Sequence, residues 1–122
     1  MNPTVLVAIV DDDESIRESL PELVIELGFA ARTFASAEEF LESGCATLAG
    51  CLIVDVSMPG MTGPELEQEL VRRGQLLPIV FITAHADAIP HTSLPGRAHS
   101  CLLKPFSDVA LLQALNTALK RE

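Results

Sequence analysis

The chain has 122 residues, with 8 Lys plus Arg against 17 Asp plus Glu, a formal net charge of -9, and 48% hydrophobic residues. This length fits one domain with its own core, and the apolar fraction excludes a disordered acidic tail. Because an acidic surface repels nucleic-acid phosphates, we do not expect this chain to bind DNA or RNA directly.

Cysteine usage and the lack of a targeting signal predict a cytoplasmic location. Cys45, Cys51 and Cys101 show no metal-ligand spacing, and an odd number of cysteines without a secretory signal favours a reducing compartment. No apolar run approaches the roughly 20 residues that span a bilayer. We therefore expect no membrane partner.

The chain begins with a strand followed by a helix. Residues 5–10 (VLVAIV) form a continuous apolar run, which is typical of a strand buried on both faces of a parallel sheet. Apolar residues at helical spacing follow over residues 16–27, and Gly28 suits the C-terminal cap. Pro21 lies inside this pattern and should kink or split the helix.

A second strand–helix pair and a third strand come next. Residues 30–34 predict a weaker strand, and Ser36 with Glu39 three residues later predicts the start of a short helix. Residues 51–54 (CLIV) predict the third strand, which ends on Asp55.

Turn formers fill the loop 57–63 (SMPGMTG), and a third helix is predicted over residues 64–73. Pro64 suits the first position of that helix. Residues 78–82 predict a fourth strand, which ends on Thr83.

The stretch 84–99 carries no clear pattern, because Pro90 and Pro95 interrupt any long helix. We expect the fourth helix here to be short, partly irregular and mobile. Residues 101–103 predict a short fifth strand, and Ser107 caps a last amphipathic helix.

About five strand–helix repeats predict an α/β fold: a single doubly wound parallel sheet of five strands with helices on both faces. In such sheets the functional site lies beyond the carboxyl ends of the strands.

Polar side chains stand at these ends on several strands; they are Asp11, Asp12, Asp55, Thr83 and Lys104. Clustered carboxylates need a cation, and hard oxygen ligands suit Mg²⁺. A carboxylate can also attack phosphorus to give an acyl phosphate, while a lysine and a hydroxyl can neutralise and hydrogen-bond phosphoryl oxygens. Each residue alone has an ordinary explanation, such as a solvated turn or a surface lysine, but their agreement across strand ends favours one site.

Four segments carry a resemblance to a known family: IVDDDES (9–15), IVDVSMPGMTG (53–63), VFITA (80–84) and LLKPF (102–106). They resemble the receiver domains of response regulators in two-component signalling, of the kind that precedes helix-turn-helix output domains. The resemblance covers essentially the whole chain, so it implies one receiver domain over residues 1–122 with a flavodoxin-like fold.

The resemblance also implies a chemistry. Asp55 would accept a phosphoryl group from the phosphohistidine of a sensor histidine kinase. Asp12, Asp55 and the backbone carbonyl of Ser57 would bind Mg²⁺ directly, and Asp11 would hold the ion through water. A receiver of this kind is not an enzyme in the usual sense, although it promotes its own phosphorylation and dephosphorylation.

The same resemblance assigns the remaining residues of the site. Lys104, joined to Pro105 by a cis bond, would pair with the carboxylate and then with a phosphoryl oxygen. The Thr83 hydroxyl would move toward the phosphoryl group and carry the signal outward. Cys101 departs from the family, which usually has Tyr or Phe there, and the chain contains no Tyr or Trp. Asp13 is interpreted as a helix N-cap outside the site.

Two other functions remain open. A phosphatase with an aspartyl nucleophile usually has a second acid two residues later, where this chain has Ser57. A pure interaction module would never be phosphorylated. The sequence also leaves open whether the chain stands alone or is a fragment of a longer transcriptional regulator with a DNA-binding output domain, which the motifs favour somewhat, and whether it forms a homodimer on phosphorylation.

Overall fold

A computed structural model of the chain describes residues 4–85 and 100–119. Within them a parallel sheet has the strand order β2-β1-β3-β4-β5. The strands are β1 (Leu6–Val10), β2 (Ala30–Phe34), β3 (Cys51–Asp55), β4 (Ile79–Thr83) and β5 (Ser100–Leu103). The helices are α1 (Glu14–Glu26), α2 (Ala37–Ser43), α3 (Gly63–Arg72) and α4 (Asp108–Ala118), and a 3₁₀ turn, Cys45–Thr47, follows α2.

Two apolar layers cover the sheet, one on each face. Alternate side chains of β3 enter different layers: Leu52 joins the layer that includes α2 and α3, whereas Ile53 joins the layer of α1 and α4. This alternation buries all five residues of β3. Val7 to Val10 of β1 are buried as well, which confirms the prediction that the first strand is buried on both faces. The doubly wound α/β fold is therefore confirmed.

Helix α1 differs from its prediction. It runs without a break from Glu14 to Glu26 although Pro21 lies inside it, so of the two predicted effects, a kink or a split, the split is wrong. Leu20 and Val24, on either side of Pro21, are buried against the sheet, and this packing compensates for the backbone donor that proline lacks. The predicted end is correct to within one residue: Leu27 is the C-cap, and Gly28 follows it with φ of 101°.

The strands agree closely with their predicted ranges, and four differ by one residue: β1 begins at Leu6, β3 includes Asp55, β4 covers Ile79–Thr83 and β5 begins at Ser100. The short irregular helix expected within residues 84–99 falls mainly outside the described residues. None of the helices in the described ranges is long and apolar enough to cross a membrane.

Candidate functional site

Parallel pairing brings several strand ends to one edge of the sheet. Val10 of β1 pairs with Val54 of β3, so the residues that follow them, Asp11 and Asp55, emerge side by side. On the other side of β3, Asp55 pairs with Ile82 of β4, which precedes Thr83. The predicted convergence of these residues is confirmed by the register.

Three carboxylates form the centre of this edge. Asp11, Asp12 and Asp55 each offer one oxygen, and the three oxygens lie within 4.8 Å of one another. Asp11 is fully buried, Asp55 is buried and Asp12 is exposed, so the cluster opens to solvent on the Asp12 side. Such a set of hard oxygen donors could hold a divalent metal ion.

Asp11 is held at every polar atom. Its N–H donates to the carbonyl of Phe34 on β2 (3.1 Å), and its Oδ1 accepts from the Asp13 N–H (2.9 Å). Its Oδ2 accepts from Lys104 Nζ (2.9 Å), and its carbonyl accepts from Arg17 Nη1 (2.9 Å). The buried acid is therefore a fixed part of the site.

Lys104 brings a positive charge to the acids. Its Nζ lies 2.9 Å from Asp11 Oδ2 and 3.6 Å from Asp55 Oδ2, with 16% of its side chain exposed. Burial lowers the pKa of Lys104, but the hydrogen bond and charge of Asp11 and the charge of Asp55 outweigh burial, so the net pKa is raised. The ammonium stays charged, and the following bond to Pro105 is cis, as the resemblance implied.

Asp55 lies in an environment that disfavours its negative charge. Burial raises the pKa of its carboxyl above the usual range, and the charge of Asp11 raises it further, whereas Lys104 acts in the opposite direction. The Ser57 N–H, at 3.4 Å from Asp55 Oδ1, makes a long contact. Three acids around one ammonium leave excess negative charge, so this donor set fits a bound cation.

Thr83 occupies the next strand end. Its hydroxyl donates to the His85 carbonyl (3.2 Å) and accepts from the His85 N–H (3.1 Å). The hydroxyl is therefore bonded to its own loop rather than to Asp55. Cys101, which pairs with Phe81 across β4 and β5, is partly buried.

The loop after Asp55 is fixed by contacts that the sequence interpretation missed. Thr62 and Glu65 form a reciprocal capping box at the start of α3, which the T-x-x-E spacing could have revealed. Glu38 of α2 accepts from the Met61 N–H (3.3 Å), and no sequence signal joins residues so far apart. The contact of Arg17 with Asp11 was missed for the same reason.

An apolar groove of about 520 Å³ lies on the Lys104 side of the site. Ile16, Leu20 and Leu23 of α1 form one wall, and Pro105 and Phe106 form another. The groove also reaches Lys104, so a molecule bound there would contact the edge of the site.

Comparison with known proteins decides the family. The family model described as the response regulator receiver domain matches residues 7–116. The chain belongs to the response regulator receiver family. As a receiver it is a signalling domain of two-component regulatory systems, which confirms the resemblance in the sequence.

Individual relatives agree with this assignment. The transcriptional regulatory protein TdiR of Thauera aromatica is 39% identical over 114 residues, which are 93% of this chain and 50% of TdiR. The structure of response regulator StyR has a TM-score of 0.86 at 43% identity and covers 97% of this chain and 60% of StyR. The structure of response regulator TrrA of Thermotoga maritima, in complex with Mg²⁺-BeF, has a TM-score of 0.82 at 27% identity. The match covers 95% of this chain and 100% of the TrrA chain. The chain spans about half the length of the curated relatives that it matches.

Proposed function

We propose that Asp55 accepts a phosphoryl group from the phosphohistidine of a sensor histidine kinase. The observation that carries this proposal is the placement of one partly accessible carboxylate between two others and an ammonium. The Asp55 side chain is 11% exposed, and its Oδ2 lies 3.6 Å from Lys104 Nζ. Asp11 and Asp12 each place an oxygen within 4.8 Å.

The transfer is a substitution at phosphorus. One Asp55 carboxylate oxygen forms the new bond, and the bond between phosphorus and the imidazole nitrogen of the donor breaks. The electron pair of that bond returns to the imidazole, which takes up a proton. The product on Asp55 is an acyl phosphate, which water can later hydrolyse to restore the carboxylate.

A Mg²⁺ ion fits the site, and TrrA, which is solved in complex with Mg²⁺-BeF, supports that choice. Asp12, Asp55 and the backbone carbonyl of Ser57 would hold the ion directly, and Asp11 would hold it through water. When bound, Mg²⁺ supplies positive charge against the crowded carboxylates and the phosphoryl oxygens.

Lys104 and Thr83 change their contacts when Asp55 is phosphorylated. The ammonium of Lys104 now contacts two carboxylates, and after transfer it pairs with a phosphoryl oxygen. The hydroxyl of Thr83 leaves the backbone of His85, where it is bonded now, and donates to the phosphoryl group. This movement changes the backbone contacts of His85 and so carries the signal outward.

The kinase and the output complete the proposal. The groove between α1 and Phe106 reaches Lys104, whose ammonium lies 3.6 Å from Asp55, and it offers an apolar contact for the kinase. TdiR is a transcriptional regulatory protein of about twice this length, which supports a cytoplasmic regulator whose receiver, residues 1–122, controls a DNA-binding output domain. Phosphorylation would also favour a homodimer.

The test uses a small phosphoryl donor. We would incubate the chain with acetyl phosphate and Mg²⁺ and measure intact mass. The expected result is a gain of one phosphate that needs Mg²⁺ and is lost in Asp55→Asn. Asp108→Asn is the matched control, since Asp108 is an exposed acid in the first turn of α4. No gain in the folded wild type would leave an interaction module as the function.

A further inference from the structure

Arg17, on α1, is bonded to both ends of the turn that carries the acids. Its Nη1 donates to the Asp11 carbonyl (2.9 Å), and its backbone N–H donates to the Asp13 carbonyl (3.1 Å). The contact made by the side chain spans six positions in the sequence, so it ties the body of α1 to the end of β1.

The carbonyl that Arg17 contacts belongs to the peptide joining Asp11 to Asp12. The backbone of Asp11 is fixed on the other side by its N–H, which donates to Phe34, and both its carboxylate oxygens are also bonded. The orientation of the next peptide therefore depends on the donor at the Asp11 carbonyl. Because rotation of this peptide turns Asp12 relative to Asp11, it changes the spacing of the two carboxylates.

An ordinary surface role does not account for Arg17. Glu14 and Glu18 lie near it in the sequence of α1, yet within the described residues no carboxylate forms an ion pair with Arg17. Arg17 as a residue is half-buried, and its guanidinium bonds a backbone carbonyl at the end of a strand. Arginine suits such a position because its planar group loses little freedom for each hydrogen bond formed.

We propose that Arg17 is a positioning residue for the metal site. Through the Asp11 carbonyl it holds the peptide between Asp11 and Asp12 in the orientation in which their carboxylates face Asp55. It does not touch the metal or the phosphoryl group. This inference rests on the proposed function, because it takes these carboxylates to be the Mg²⁺ site.

A positioning role and a purely electrostatic role of Arg17 predict opposite changes in Mg²⁺ affinity when Arg17 is replaced. If Arg17 acted only through its charge, its removal would make the site more negative and tighten Mg²⁺ binding. If it positions the carboxylates, its removal weakens Mg²⁺ binding by about tenfold, as is typical when a partner of metal ligands is lost. The direction of the change therefore decides between the two.

The experiment is a Mg²⁺ titration of the chain followed by amide NMR, because the chain contains no Trp or Tyr for fluorescence. Arg17→Met removes charge and donor, and Arg17→Lys keeps the charge on a less directional donor. Arg32→Met is the matched control: Arg32 is exposed on β2 and lies over the Phe34 ring (5.4 Å). Melting temperatures without Mg²⁺ are measured for each variant.

We expect the dissociation constant to rise from wild type to Arg17→Lys to Arg17→Met, with Arg32→Met equal to wild type. Binding by Arg17→Met as tight as wild type or tighter overturns the inference, even if its melting temperature falls. If Arg17→Met does not fold, the test rests on Arg17→Lys alone. Mg²⁺ binding by Arg17→Lys as tight as wild type or tighter then overturns the inference. A wild type that binds no Mg²⁺ instead overturns the proposed metal role, and this inference with it.

Discussion

The two sides of the site are built on different parts of the sheet. The acids follow β1 and β3 near its centre, where β3 is buried at every position. Lys104 follows β5 at the edge, where Cys101 and Leu102 are half-buried and Leu103 is 46% exposed. We call these the acid side and the edge side.

If Asp55 accepts a phosphoryl group as proposed, this difference combines a fixed acceptor with a more easily displaced partner in one site. The acid side is fixed by close packing, which does not deform gradually. Within the described residues β5 pairs with β4 alone, and its described side chains are more exposed than those of β3, so its opening costs less free energy. Phosphoryl chemistry needs fixed carboxylates, whereas a signal needs a part that moves.

Gly63→Ala should damage the acid side most. A Cβ on Gly63 would lie 2.7 Å from the Asp55 carbonyl oxygen and 3.2 Å from Val56 Cα, and backbone atoms at the end of a central strand cannot move aside. We expect a loss of at least about 3 kcal/mol in the free energy of unfolding, measured by urea denaturation with circular dichroism.

Gly50→Ala is the control for this substitution. Its Cβ would also meet an atom at 2.7 Å, but that atom is Val5 Cγ1, a side-chain methyl near the start of the described chain. Because a side chain can rotate away, we expect a loss of about 1 kcal/mol. Equal losses for the two variants would contradict the rigid acid side.

Lys104→Met should have the next largest effect. It leaves the fully buried Asp11 without the ammonium at 2.9 Å, so the free energy of unfolding should fall by about 2 kcal/mol at neutral pH without Mg²⁺. Added Mg²⁺ should restore part of the loss by replacing the missing charge. Thermal unfolding with and without Mg²⁺ measures both effects.

Arg73→Met is the comparison for Lys104→Met. Arg73 pairs with Glu69 on the surface of α3, with 42% of its side chain exposed, and such pairs contribute about 0.5 kcal/mol or less. A similar loss in the free energy of unfolding in both variants would mean that the buried pair between Lys104 and Asp11 stabilises the fold no more than a surface pair does.

Asp55→Asn should stabilise the fold in a pH-dependent way. Since the pKa of Asp55 is raised above the ordinary 3.8, the folded chain holds a proton that the unfolded chain has released. Wild-type stability therefore falls as pH rises through the window between the two pKa values. Asn does not titrate, so the advantage of the variant grows across this window and then stays constant, at about 1 kcal/mol.

Denaturation at several pH values without Mg²⁺ measures this advantage. Asp108→Asn, an exposed acid on α4, should show no comparable pH-dependent gain. An Asp55→Asn variant that is less stable than wild type at pH 7 would contradict the crowding of charge on the acid side.

The acid side could be predicted from sequence because its signals are local. An apolar run that ends on Asp55, or on the pair Asp11 and Asp12, marks both the strand and the site, and the parallel sheet then brings the strand ends together. Contacts between distant residues gave no such signal. The bonds from Arg17 to Asp11 and from Glu38 to Met61 depend on how helices meet loops.

Helix α1 shows a second limit of predicting structure from local sequence. Pro21 predicted a kink or a split on local grounds, yet the helix is not split, and Leu20 and Val24 beside Pro21 are buried. Local propensity fails where burial outweighs it. The roles of the individual site residues also remain predictions, because geometry places the side chains without showing the transfer.

The smallest effect comes from a matched pair of cysteines. Cys51 on β3 is fully buried, and burial raises its pKa to about 12; Cys101 on β5 is partly buried. The same substitution, Cys→Ala, should lower the free energy of unfolding by about 1 kcal/mol at Cys51 and by less than about 0.5 kcal/mol at Cys101. Alkylation of the native chain, read by mass, should modify Cys101 first, since Cys51 reacts only when its strand opens. Equal losses and equal labelling rates would show that the edge is packed as tightly as the centre, and the signal would then need another movable part.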